Sequence, residues 1–295
     1  MNEFRTYHPI VNLVYFLFVI GFSCVLMHPA CLAVSLVCGF SYSVLLKGKK
    51  AVRANLVYML PMLILAAVAN PAFQHEGVTI LAYLPSGNPL TLESIAYGLG
   101  AGVMLVSVLC WFSCYHQIMT SDKLIYLFGR IIPSLSLILS MTLRFVPKFA
   151  AQLKTVANAQ RCIGRDGSRG SVVQRAKQGL TLLSIMTTWA LENAVETADS
   201  MKSRGYGLPG RTAFSIFTFD RRDKKAFLCI VLLGAYTLAG HAMGGMYFRY
   251  FPSMKGREPS VFGLSVLAAY AALCSCPIII ELWEERKWKA IKSKL

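Results

Sequence analysis

Charge is scarce in this 295-residue chain: Asp, Glu, Lys and Arg make up 15% of it, against 55% from the hydrophobic set. An ordinary water-soluble domain carries roughly a quarter charged residues, so that class is excluded. There is no GxxxxGK[ST] loop to cradle phosphates, and Gly164 to Gly170 lacks the Lys-Ser/Thr ending, so no P-loop nucleotide site is expected on this chain. The nine cysteines include no paired CxxC sets. Cys110 and Cys114 stand one helical turn apart in one apolar run and Cys274 and Cys276 lie in another, which reads as small apolar packing rather than zinc binding. Also missing is the chain of acids or histidines that an ion-driven carrier places near mid-membrane. His28 and His116 fall near the ends of apolar runs, and His241 lies alone inside one, where a packed neutral imidazole needs no chemistry. No metal ligand set and no cofactor is expected.

Uncharged runs, by contrast, are plentiful. A bilayer core of about 30 Å takes roughly 20 apolar residues in helical form. Six runs qualify: Ile10 to Met27, Ala30 to Leu46, Ala54 to Phe73, Ser94 to Cys114, Ala226 to Phe248 and Val261 to Ile280. The first is read as a retained span rather than a signal peptide, because no small-residue cleavage site closes it and a second span follows at once. The fold class is therefore an all-α integral membrane protein of about six spans.

The net charge of +16 gains its meaning from placement. Arg5 precedes the first span, and Lys47, Lys49, Lys50 and Arg53 separate the second from the third. Seventeen Lys and Arg residues lie between Tyr115 and Lys225, five in the last 15 residues and none from Gln74 to Glu93. Only Arg249, Lys255 and Arg257 fall on the other side, so 27 of 30 share one face. The positive-inside rule then puts both termini in the cytoplasm, and basic charge so distributed answers to a membrane surface, not to nucleic acid.

Three regions follow. Residues 1–114 form a four-span region, with an outer loop at 74–93 that holds a β-prone run, Val78 to Leu84, and the turn sequence Pro85-Ser-Gly-Asn-Pro89. Residues 115–225 are too charged for consecutive spans and too apolar for a free domain. Residues 226–295 supply two more spans and a basic tail. Within the middle region Leu124, Leu127, Phe128, Ile131, Leu135, Ile138, Leu139, Thr142, Phe145, Phe149 and Leu153 recur at helical spacing, interrupted by Lys123, Arg130, Arg144, Lys148 and Lys154. Pro133 and Pro147 are expected to break or kink this segment. A second amphipathic segment runs from Val172 to Arg204, with Glu192, Glu196 and Asp199 along one side. The Gly- and charge-rich stretch Arg161 to Gly170 joins the two as a turn, making a hairpin-like pair suited to the inner membrane surface.

The second segment ends Met201-Lys-Ser-Arg-Gly-Tyr-Gly-Leu-Pro-Gly210, where Gly205 suits the left-handed residue that stops a helix and Pro209 prevents its resumption. Lys202 and Arg204 there complement the negative end of the helix dipole, and Arg204 on a rigid tip also suits docking with a partner's carboxylate. Leu143-Arg-Phe-Val-Pro147, Ala157-Asn-Ala-Gln-Arg161, Ala190-Leu-Glu-Asn-Ala194 and Ala198-Asp-Ser-Met-Lys-Ser-Arg-Gly-Tyr-Gly207 follow in order. With these motifs the chain, over essentially its whole length, resembles the transmembrane T component of energy-coupling factor transporters, the bacterial vitamin and metal-ion importers that include the cobalt and nickel systems.

That resemblance implies a non-enzymatic scaffold with three partners besides lipid: two cytoplasmic ABC-type ATPase subunits and one small membrane subunit that captures substrate. It implies that two long coupling helices each end in an Ala-Arg-Gly-like motif seated in one ATPase. Ser203-Arg204-Gly205 is similar to the second motif, and the first falls at Arg161 to Arg165, where the order Gln-Arg-Cys-Ile-Gly-Arg departs from the pattern. Arg161 or Arg165, beside Gly164, fills that role. Glycines Gly98, Gly100, Gly102, Gly234, Gly240, Gly244 and Gly245 suit close helix packing or contact with another membrane subunit. A membrane enzyme acting on a phosphorylated lipid or prenyl substrate is the alternative, with Glu192, Glu196 and Asp199 the carboxylates available for magnesium. A self-contained permease would need paired internal repeats, and no self-similarity links the first four spans to the last two.

Overall fold

The computed structural model describes residues 3–74, 76–83, 89–165, 171–209, 217–256 and 260–292. Pro85 to Asn88 of the outer turn, Asp166 to Gly170, Gly210 and Arg257 lie outside the described residues, as do the side chains of Lys49, Lys50, Arg130, Ile131 and Leu135. The chain is an all-α integral membrane protein with two small β-hairpins, and it divides into two compact units. One comprises Met1–Leu124 with Phe217–Leu295, and the other Ile125–Ile216.

The first unit opens with a short 3-10 turn, Glu3–Thr6, followed by α1 (Pro9–Val25), α2 (Pro29–Lys47) and α3 (Lys49–Phe73). Two His-Pro pairs start the first two helices in the same way. The His8 and His28 rings each accept a hydrogen bond two residues ahead, from the Ile10 and Ala30 amides at 3.3 Å, while the proline at the first helical position has no N–H to leave unsatisfied. Strands β1 (Ile80–Tyr83) and β2 (Pro89–Thr91) pair antiparallel and lead into α4 (Leu92–Ile118). The β-prone run thus forms half of a hairpin. The buried Glu93 carboxylate ties that hairpin to the helix by accepting from the Thr79 hydroxyl at 2.9 Å and from its amide. The chain enters α5 (Ser121–Ile131) and returns to this unit as α8 (Arg221–Ala242), β3 (Phe248–Arg249), β4 (Lys255–Gly256) and α9 (Val261–Lys292).

Among the described residues five helical stretches are long and apolar enough to cross a bilayer: α2, Asn55–Phe73 of α3, α4, α8 and α9. The sixth expected span, α1, has 17 residues, the short end of the usual range. One boundary differs from expectation. The uncharged run continues to Phe248, but α8 stops at Ala242, because Gly244 takes a left-handed φ of 76° and the Gly245 amide turns back to the Gly240 carbonyl at 2.9 Å.

Helix α4 is central, packing against α1, α2 and α3. Lipid gives helices no hydrophobic reason to associate, so close packing and polar contacts hold them. Both are present. Buried Trp111 of α4 donates to the Ser35 hydroxyl of α2 at 3.0 Å. Ser35 meets Ser23 of α1 at 2.6 Å, and Ser23 meets the Tyr270 hydroxyl of α9 at 3.2 Å. The Tyr15 hydroxyl of α1 donates to the Cys274 carbonyl of α9 at 3.2 Å, so one buried polar chain stitches four helices. The glycines are taken up internally: a Cβ on Gly98 or Gly102 would stand 3.0 to 3.2 Å from α3 backbone carbonyls, and one on Gly240 would overlap Val266 of α9.

Where α5 begins, a cation is buried. Lys123, 4% exposed, donates to the carbonyls of Arg5 at 2.6 Å and Tyr7 at 3.5 Å, and the Asn12 amide oxygen, suitably turned, accepts from it at 2.7 Å. Burial, helped by the Arg5 charge and opposed by Asp223, pushes the Lys123 amine down to about 8. Sequence spacing makes Lys123 an interruption of an apolar face, whereas it is a satisfied interior group. Nearby Asp223, also buried, accepts from the His8 and Asp220 amides.

The second unit holds most of α5, then α6 (Pro133–Cys162) and α7 (Val172–Ser203). Helical hydrogen bonding stops at Ile132, because Pro133 has no N–H to continue it. Pro147, by contrast, sits inside α6 without ending it. Helix α7 starts with a capping box, Ser171 and Gln174 each bonding the other's backbone amide.

Candidate functional site: the ends of the helix hairpin

Both long helices of the hairpin close in the same way. At the end of α7, Arg204 occupies the cap, Gly205 turns left-handed at φ 76°, its amide donates to the Lys202 carbonyl at 3.0 Å and the Tyr206 amide reaches back to Met201 at 3.0 Å. At the end of α6, Ile163 occupies the cap, Gly164 turns at φ 78°, its amide donates to Arg161 at 3.0 Å and the Arg165 amide reaches back to Gln160 at 2.9 Å. These are Schellman closures, which satisfy carbonyls that a helix end otherwise leaves open. Glycine is required in each because a side chain at positive φ is strained. The end of α8 uses the same closure, so the turn is a way of stopping a helix, and what a tip can do depends on its side chains.

Matching the two tips by hydrogen-bond role aligns Arg204 with Ile163, Lys202 with Arg161, Ser203 with Cys162 and Tyr206 with Arg165. Arg161, Gly164 and Arg165 thus come together at one end, but an exposed isoleucine holds the position Arg204 has at the other. Ser203 is exposed, its hydroxyl donating to the Ser200 carbonyl at 2.9 Å. Arg204 is exposed and forms no ion pair with a described residue.

The α7 tip does not stand alone. A cavity of about 510 Å³ lies between the first half of α6 and the last turns of α7, and Arg204 lines it together with Arg144, Lys148, Asn193 and Glu196. Because the start of α7 follows closely on the end of α6 while its last turns face Met141 and Arg144, the two tips occupy opposite ends of the hairpin. The 18 residues from Arg144 to Cys162 separate them by roughly 27 Å along α6 at 1.5 Å per residue. Lys148 is held in the groove: its ammonium donates to the Asn193 side-chain oxygen at 2.6 Å and lies 5.4 Å from the Trp189 ring centre. Asn193 in turn donates to the Trp189 carbonyl at 3.1 Å, and Phe149 meets the Trp189 ring edge-on at 5.2 Å. From sequence alone Arg144 and Lys148 are interruptions of an apolar face, with no pairing to Arg204 or Asn193. The available signal was Arg144 and Lys148 at i, i+4, facing Asn193, Glu196, Thr197 and Ser200 at one helical stripe.

Glu192, Glu196 and Asp199 are exposed along α7. Among the described residues no group of three or more His, Cys, Asp and Glu is arranged to hold a metal ion.

Fold and site together define a multi-pass helical membrane protein carrying a paired-helix arm with capped, cationic ends. Comparison with known proteins finds similarity over part of the chain. The energy-coupling factor transporter transmembrane protein EcfT of Lactobacillus helveticus is 32% identical over 103 residues, 35% of this chain and 37% of that relative. EcfT of Lacticaseibacillus paracasei is 37% identical over 93 residues, 31% and 35% of the two chains. EcfT of Bacillus subtilis is 31% identical over 102 residues, 34% and 38%. The match thus spans little more than a third of these relatives' length, and no family model matches the chain.

Proposed function

We propose that this chain is the T component of an energy-coupling factor importer, a scaffold joining two cytoplasmic ABC-type ATPase subunits to a small membrane subunit that captures substrate. The observation that carries this reading is the hairpin of α6 and α7, whose two Schellman-closed ends lie at opposite extremes with cations at or beside each cap. The partial similarity to EcfT proteins supports it. Arg204 docks with a carboxylate of one ATPase, and Arg161 or Arg165 serves the other. Nucleotide-driven approach of the ATPases then changes the angle of the hairpin helices, and that change is passed to the surface held by the capture subunit. ATP is hydrolysed on the partners. The choice of a vitamin or a metal ion such as cobalt or nickel belongs to the capture subunit. Both termini face the cytoplasm of a bacterial cell, where 27 of the 30 Lys and Arg residues then lie.

The reading is tested by purifying the tagged full-length chain from its native membrane and identifying its companions by mass. Two P-loop ATPases and one small, very apolar membrane protein are expected, and a chain that emerges alone overturns the proposal. In the same preparation Arg204→Glu is expected to lose the ATPases, because truncating or reversing a desolvated interfacial charge costs about 2 to 5 kcal/mol. No observation favours the lipid- or prenyl-acting enzyme, whose candidate carboxylates Glu192, Glu196 and Asp199 lie spread along an exposed helix face.

A further inference from the structure

We infer that Arg144 and Lys148 of α6 complete, with Arg204, a three-cation clamp that takes a pair of carboxylates from the ATPase subunit meeting the α7 tip. The inference rests on the coupling-scaffold reading and adds to it the chemistry of the receptor and two residues from the other helix.

Three cations and one acid, Glu196, line the same 510 Å³ groove. Like charges gathered at one place repel one another, so an arrangement of this kind is stable when an anion fills it. Among the described residues Arg144, Arg204 and Glu196 form no ion pair, and Lys148 is oriented by the uncharged partners Asn193 and Trp189. Thr197, whose hydroxyl donates to the Asn193 carbonyl at 2.6 Å, borders the same wall. The formal charge of the lining is therefore +2, which two carboxylates cancel. Met141, Phe145 and Met201 supply an apolar wall for the methylene groups of acidic side chains.

Two features favour a protein acid over the phosphate of a lipid. The groove is continuous with Arg204 at a solvent-facing helix tip, and its formal charge of +2 is cancelled by two carboxylates but only half cancelled by one phosphate diester. The other tip has Ile163 at the equivalent cap, so the clamp belongs to the α7 end alone.

The experiment measures the affinity of the purified ATPase subunits for the full-length chain in nanodiscs, with Arg144→Gln, Lys148→Gln, Arg204→Gln, Arg204→Glu and Glu196→Gln compared with wild type. Charge-assisted hydrogen bonds contribute about 1.5 to 3 kcal/mol, so Arg144→Gln and Lys148→Gln are each expected to weaken binding by roughly tenfold or more. Arg144→Gln combined with Arg204→Gln should lose less than the product of the single losses, since both act on the same pair of carboxylates. Glu196→Gln should tighten binding severalfold, an outcome that a purely structural role for the groove does not give. Wild-type affinity in the Arg144 and Lys148 variants, with binding abolished by Arg204→Glu, overturns the clamp and leaves the scaffold reading standing. Normal binding by Arg204→Glu overturns the scaffold reading itself. Unchanged ATPase affinity with loss of co-purifying phosphatidylglycerol assigns the groove to lipid and overturns the clamp.

Discussion

The membrane bundle and the hairpin arm are both helical, yet they keep their shape by different means. Buried aromatic and aliphatic side chains crowd the bundle, where Trp111, Tyr15, Tyr42 and Tyr270 are all fully enclosed. Among the described residues of the arm, only Met186 is a buried hydrophobic, while Leu180, Leu183, Leu191 and Val195 face outward. The bundle holds a packed core of its own, whereas the arm keeps most of its apolar side chains exposed and relies on capped ends and helix length. Mutations should therefore read as stability in one region and as binding in the other.

The sharpest way to break that contrast is a pair of truncations. Trp111→Ala empties a packed site and removes the donor to Ser35, so it is expected to cost about 3 to 5 kcal/mol, read as a lowered melting temperature in detergent. Leu183→Ala on the arm should stay within about 0.5 kcal/mol, and equal effects would dissolve the distinction. Next in size is Gly240→Leu, which drives a side chain into Val266 and should cost about 1 to 3 kcal/mol of bundle stability by the same measurement.

Lys123 offers a pH test. Folding lowers its amine to about 8 from the ordinary 10.5, so between those values the unfolded chain holds a proton that the folded chain has released. Its contribution to stability therefore rises with pH across that window, by at most about 1.4 kcal/mol per pH unit. Unfolding titrations on wild type and Lys123→Met should differ in slope there, and parallel curves would refute the assignment. A modest effect is expected at the arm's tip: Gly205→Ala strains a left-handed residue by about 1 kcal/mol, read as faster amide exchange confined to the last turn of α7.

Much of the bundle was legible in composition, because a span in lipid must be long, helical and uncharged, and those demands leave few alternatives. The end of α8 was not, since Met243 to Tyr247 is as apolar as the helix before it and only the backbone turn at Gly244 marks the stop. The closure of α7 at Gly205 could be read from local chemistry, as could the turn at Gly164. The groove could not. Arg144 and Glu196 are 52 positions apart, and nothing in the periodicity of either helix says that these faces meet. Lys123 misled for the opposite reason: a lysine within an apolar pattern suggests a solvated edge, and only the carbonyls of Arg5 and Tyr7 explain its burial.

The fastening of Lys123 also has a mechanical side. Lys123 fastens the first turn of α5 to the amino-terminal carbonyls, and the helical ladder is next interrupted at Ile132, before Pro133. Beyond that interruption α6 runs 30 residues, a lever roughly 45 Å long at 1.5 Å per residue. A rotation of about ten degrees at Ile132 would sweep the far end of α6 through roughly 8 Å, turning a small pivot into a displacement the size of a side chain.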